Sequence, residues 1–145
     1  MKIAVDGYEL GREAKGVGRT VHNILNRLID LRPADTFMVF SKEDIRRFDR
    51  PNVLYYVLPS AGGYLRWLNW PLRRALKIAE PNLLLATNYV LPLGRPWNSI
   101  LFEHDVSVIS LPEWYSRKYA LTWKWIIWKS HKNAAGAVSD LIENI

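Results

Sequence analysis

Residues 2–31, KIAVDGYELGREAKGVGRTVHNILNRLIDL, hold the reading on which the fold turns. Lys2 to Val5 is a short apolar strand that stops at Asp6-Gly7. From Val17 the rhythm changes: Val17, Val21, Ile24, Leu28 and Leu31 recur at helical spacing, and Pro33 ends the run. Between the two lies a polar loop with Gly11, Gly16 and Gly18. A strand, a glycine-bearing loop and a helix in that order open many parallel α/β sheets.

The rest of the chain repeats the alternation. Thr36 to Phe40 reads as a second strand and Asn52 to Leu58 as a third. Leu65, Leu68, Leu72, Leu76 and Ala79 form a helical stripe, with Pro71 predicting a kink or a helix start inside it. Leu83 to Ala86 and Ser99 to Phe102 are short buried strands. Residues 113–132 form a long helix, with Tyr115, Tyr119, Thr122, Ile126 and Ser130 on one face. Gly136 to Val138 starts a last strand, and Ser139 to Ile145 reads as a helix N-cap and two turns that then stop. The order predicts an α/β, Rossmann-like fold: an open, mostly parallel sheet with helices on both faces. Ligands of such sheets sit beyond the carboxyl ends of the strands.

A chain of 145 residues suits one domain, and 49% hydrophobic with 23% charged residues is a globular balance. No apolar run approaches the roughly 18 to 20 residues that span a bilayer. Leu121 to Trp128 is short and carries Lys124, and the N-terminal apolar run is too short for a signal peptide. There is no cysteine, hence no disulfide and no thiol ligand, which fits a cytoplasmic location.

The net charge of +6 is concentrated: residues 64–79 and 113–132 carry +4 each, and the rest sums to −2. Six of the seven tryptophans lie in these two segments. Basic residues interleaved with Trp suit a membrane–water interface or a nucleic acid. Arg66, Trp67, Trp70, Arg73, Lys118, Lys124 and Trp125 are the candidates for contact with a membrane surface. The plain alternative is two amphipathic helices whose Lys and Arg stems cover buried rings.

Two stretches carry chemistry. Gly16-Val17-Gly18-Arg19 runs into the first helix, where backbone N–H groups can meet an anionic or hydroxyl-rich ligand and Arg19 can add a contact to phosphate. A glycine-capped loop without a ligand is the bland reading. It is not a dinucleotide fingerprint, because Val21 stands where the third glycine belongs, nor a Walker loop, because Val17-Gly18 replaces the Lys-Ser/Thr pair. Glu103-His104-Asp105 follows a strand and sets three ionisable side chains at its carboxyl end. His104 can bond a sugar hydroxyl or share a proton, and Asp105 can orient the ring. No metal-ligand spacing occurs around His22 or His131, so no metal is expected. Leu111 to Ser116 reads as structural, with Pro112 and Glu113 in the first turn of the long helix.

Together these residues resemble the N-terminal domain of the GT-B glycosyltransferases of the large retaining family 4. Gly16-Val17-Gly18-Arg19 is similar to the family's "tGIGRY" loop, and His104-Asp105 to its "HD" step. Leu111-Pro112-Glu113-Trp114-Tyr115 is similar to its "hPEWY" segment, and Ala137-Val138-Ser139 to its "vSefS" step. The four span residues 3 to 139 in family order. Thr20 and Glu103 depart from it, standing where Tyr and an apolar residue are common.

The resemblance implies a Rossmann-like, acceptor-side domain over residues 1–145, truncated near its C-terminal end and lacking the donor-binding domain. It implies transfer of a sugar, with retention, from a UDP- or GDP-linked donor to a glycan or lipid-linked acceptor. Gly16, Val17, Gly18, Arg19 and Glu103 would bind donor or acceptor, with His104 and Asp105 at the reacting sugar. No cofactor or metal is implied, and the chain alone is expected to be inactive. With the basic, Trp-rich segments, this gives a peripheral protein on the inner membrane face. The alternatives are a non-catalytic remnant or interaction module, and a nucleic-acid-binding domain that no RNA-binding signature supports.

Overall fold

In the computed structural model, residues 1–11, 16–94, 97–104 and 110–139 are described. The proposed terminal helix and Asp105 lie outside them. Six strands form one parallel sheet: β1 (Lys2–Asp6), β2 (Thr36–Ser41), β3 (Val53–Val57), β4 (Leu83–Ala86), β5 (Ser99–Glu103) and β6 (Gly136–Ser139). Their order across the sheet is β3-β2-β1-β4-β5-β6, with every neighbouring pair parallel. This is the doubly wound Rossmann order.

Both faces of the central strands are apolar, so these strands read as continuous hydrophobic runs rather than alternating ones. Side chains still alternate between faces. Ile3, Val5, Phe37, Val39 and Leu85 point into one core. Ala4, Met38, Phe40, Leu84 and Ala86 point into the other. Helix α1 (Val17–Leu31) covers the first face with Val21, Leu25 and Ile29. The connection from β3 to β4 covers the second face.

That connection is a broken helix: α2 (Tyr64–Trp67), a π-turn (Leu68–Leu72) and α3 (Arg73–Ala79). Pro71 lies in the π-turn. Proline has no N–H for the helical ladder, so the turn widens and Arg73 N–H donates to the Leu68 carbonyl, five residues back. The wider turn keeps Trp67, Leu68, Leu72 and Leu76 buried against the sheet. Trp67 is therefore a core residue, its Nε1 donating to the Leu58 carbonyl at 3.0 Å. That corrects the expectation of a surface role for it.

The second long helix, α4 (Arg117–Asn133), joins β5 to β6 on the same face, through Trp123 and Ile126. It begins later than the sequence predicted. Pro112–Trp114 is a separate 3-10 turn, Tyr115 is extended, and Ser116 caps α4 by accepting from Tyr119 N–H at 3.3 Å. Its buried residues are Ala120, Ile127 and Ser130. The inward face is thus rotated from the expected stripe, with Thr122 in solvent donating to its own helix at Lys118 O.

Candidate functional site

Helix α1 leaves β1 toward one face, and the α2–α3 connection reaches β4 from the other. The winding therefore reverses between β1 and β4. At such a point the two connections part and open a crevice beyond the carboxyl ends of the strands. The residues that end β1, β4 and β5 meet there.

β1 ends in Asp6, whose side chain is fully buried. Its Oδ1 accepts from Tyr8 N–H at 3.1 Å and its Oδ2 from the Tyr64 hydroxyl at 2.6 Å. Burial penalises the charged form and outweighs both hydrogen bonds, and nearby Glu9 adds to the effect, so the Asp6 pKa is pushed up to about 6. Burial and the Asp6 charge together raise the Tyr64 hydroxyl well above the ordinary tyrosine value, which leaves it a donor.

The next residue, Gly7, donates to the Phe40 carbonyl at 2.7 Å. A Cβ there would sit 2.7 Å from that same oxygen, so only glycine lets the chain leave β1 this close to β2.

β4 ends at Ala86, and Thr87 follows, fully buried. The Thr87 hydroxyl donates to the Asp6 carbonyl at 2.6 Å. The Thr87 carbonyl in turn lies 3.0 Å from His104 Nε2. A carbonyl can only accept, so in this contact the proton sits on Nε2. Tyr64, Asp6, Thr87 and His104 thus form one hydrogen-bonded chain from α2 across three strand ends.

Beside this chain, Asn88 Nδ2 donates to Glu9 Oε1 at 3.4 Å. Tyr89 adopts φ of 40°, a conformation uncommon for a residue other than glycine, and its N–H is held by Phe102 O at 3.0 Å. The Tyr89 ring meets Trp123 edge-on, 6.1 Å between centroids. A cavity of about 140 Å³ lined by Tyr8, Gly11, Lys42 and Glu43 lies on the β2 side. That is small for a ligand pocket, which typically runs to about 300–1,000 Å³.

The glycine loop reaches the same edge of the sheet from the α1 side. Gly16, at φ 57°, is the N-cap of α1, and no cap hydrogen bond comes from its side. Gly16 O accepts from the N–H groups of Arg19 and Thr20. Gly18 is buried, Val17 is half-buried and packs on the first core, and Arg19 is exposed. Glu103 ends β5, and its carboxylate lies 3.0 Å from His131 Nε2 of α4. Of the residues singled out in sequence, His104 joins the crevice chain and Glu103 pairs across to α4, while Arg19 lies on the opposite flank.

Sequence reasoning missed Asp6, Tyr64, Thr87 and Tyr89. A carboxylate closing the first strand was a usable signal for Asp6. Nothing local marks Tyr64, which reaches the crevice only because α2 folds back over β1. Among the described residues no group of three or more potential metal ligands occurs, and no helix is long and apolar enough to cross a membrane. A scan against models of protein families, a search of curated proteins and a search of solved structures each find no match.

Proposed function

We propose that the chain is the acceptor-side, N-terminal part of a glycosyltransferase, which moves a sugar from a UDP- or GDP-linked donor to a glycan or lipid-linked acceptor. The observation that carries this reading is the position of His104. It stands at the carboxyl end of β5, next to the β1/β4 reversal, with its protonated Nε2 turned to Thr87 O. An imidazole at a strand's carboxyl end has the chemistry to hydrogen-bond a sugar hydroxyl or share a proton. The glycine-capped start of α1 offers N–H groups and the positive end of the helix dipole for phosphate, with Arg19 beside it. The same reading makes the protein peripheral on the inner face of a membrane, where a lipid-linked acceptor would lie.

The test is amide chemical-shift mapping of the isotope-labelled chain titrated with UDP-glucose and GDP-mannose. Shifts clustering at Gly16, Gly18, Arg19 and His104, and lost at the crevice in His104→Ala, are the expected result. Shifts that avoid both the α1 N-terminus and the β5 end overturn the reading. No sugar transfer by the chain alone is expected.

A further inference from the structure

We propose that the outer surface of the second helical layer, formed jointly by α3 and α4, docks on an anionic lipid bilayer. This deepens only the peripheral-membrane part of the reading above and does not depend on sugar transfer. In sequence the two basic, Trp-rich segments are separate, with residues 80–112 between them. The fold puts both on the same face of the sheet. Both pack on the same core, α3 through Leu76 and α4 through Trp123 and Ile126. Residues 91–93 bridge them: Leu91 N–H donates to Ser130 Oγ of α4 at 3.0 Å, and Leu93 N–H to Asn69 Oδ1 of the π-turn at 2.7 Å.

The outward residues of this layer are apolar to a degree that solvent does not explain. Trp70 is 72% exposed and Ile78 76% on the α3 side, and Leu121 68%, Trp125 51% and Trp128 60% on α4. On α4, Leu121, Trp125 and Trp128 fall at i, i+4 and i+7, which is one stripe. Basic residues flank it. Lys129 Nζ lies 4.9 Å from the Trp125 ring centroid and Lys132 Nζ 5.2 Å from that of Trp128. Each ammonium is therefore held at the level of its ring, as suits residues that sit together at the boundary of headgroups and acyl chains. Arg74 and Lys77 accompany Trp70 and Ile78, and the acids nearest in sequence, Glu80 and Glu113, lie just outside α3 and α4.

Charge complementarity selects an anionic partner. The shape favours a bilayer over single-stranded nucleic acid. Nucleic acid tracks a basic groove with aromatic platforms, whereas these rings project from the convex side of helices beside aliphatic Leu121 and Ile78. A bilayer takes rings and aliphatic side chains alike.

The experiment is co-sedimentation of the full chain with phosphatidylcholine vesicles, with and without phosphatidylglycerol, at low salt and without sugar nucleotide. The chain is expected to pellet only with phosphatidylglycerol, with a blue shift of Trp emission and release by salt. Lys129→Gln with Lys132→Gln is expected to lower partitioning about thirtyfold, from about fivefold per basic residue at an anionic surface. Trp125→Ser with Trp128→Ser is expected to abolish pelleting while leaving the urea midpoint in place. Trp70→Ser with Ile78→Ser does the same from the other helix and keeps the test open if the first pair misfolds. No pelleting, equal pelleting by folded variants, tighter binding to oligothymidylate, or burial of the Trp face by self-association overturns the proposal. Vesicle binding without sugar-nucleotide shifts at His104 would sink sugar transfer and leave the docking surface standing.

Discussion

At the scale of single residues, Asp6 has the most legible energetics. Its carboxyl is raised from 3.8 to about 6 by burial. The folded protein therefore holds that proton more tightly than the unfolded chain. The resulting stability is present in full below pH 3.8, the ordinary value, and is lost as pH rises through about 6. The expected loss is about 3 kcal/mol. Asp6→Asn keeps the side chain uncharged, and the Tyr64 hydroxyl can turn to accept from its amide. Urea titrations from pH 4 to 7 are expected to show wild type losing that stability relative to Asp6→Asn; parallel curves would refute it. The sequence showed where this residue stands, at the end of the first strand. It did not show the burial, because that depends on Tyr64 folding over from 58 positions away.

Elements were easier to read than their ends. The stripe from Val17 to Leu31 is an α-helix over those residues, since one apolar face and a following proline specify both phase and length. The start of α4 was misplaced. Pro112 and Glu113 suit a helical first turn, but the extended backbone at Tyr115 separates them from Ser116, whose hydroxyl is the working cap. Ser116→Ala is expected to cost about 1 kcal/mol in thermal or urea unfolding, and Ser116→Asp to restore it. Glu113→Ala is expected to change little, where a cap within the 3-10 turn would make it the costlier change. The face of α4 misled for a related reason: tryptophan is apolar enough to count as core and amphipathic enough to sit outside, so periodicity alone does not rank Trp123 above Trp125.

Across the whole molecule, the parallel sheet and the two-faced core follow from alternation of strands and helices, and those the sequence made legible, whereas the strand order came only with the structure. The division of the tryptophans did not follow, because charge and aromatic content are shared along residues 64–79 and 113–132 alike. The π-turn at Pro71 sends Trp67 inward and Trp70 outward, three residues apart. Trp67→Ala is accordingly expected to cost about 3–5 kcal/mol, while Trp128→Ala stays within about 0.5 kcal/mol in the same urea measurement. The central place of β1 also bears on how the protein is made. Residues 2–6 are translated before both of their neighbours, find one in residues 36–41, and find the other only in residues 83–86. On a ribosome adding roughly 5–20 residues per second, one edge of β1 waits unpaired for seconds. A nascent chain of this protein thus offers a sticky strand edge to its neighbours on the same message, and the interval before Leu83 emerges is when a chaperone has most to shield.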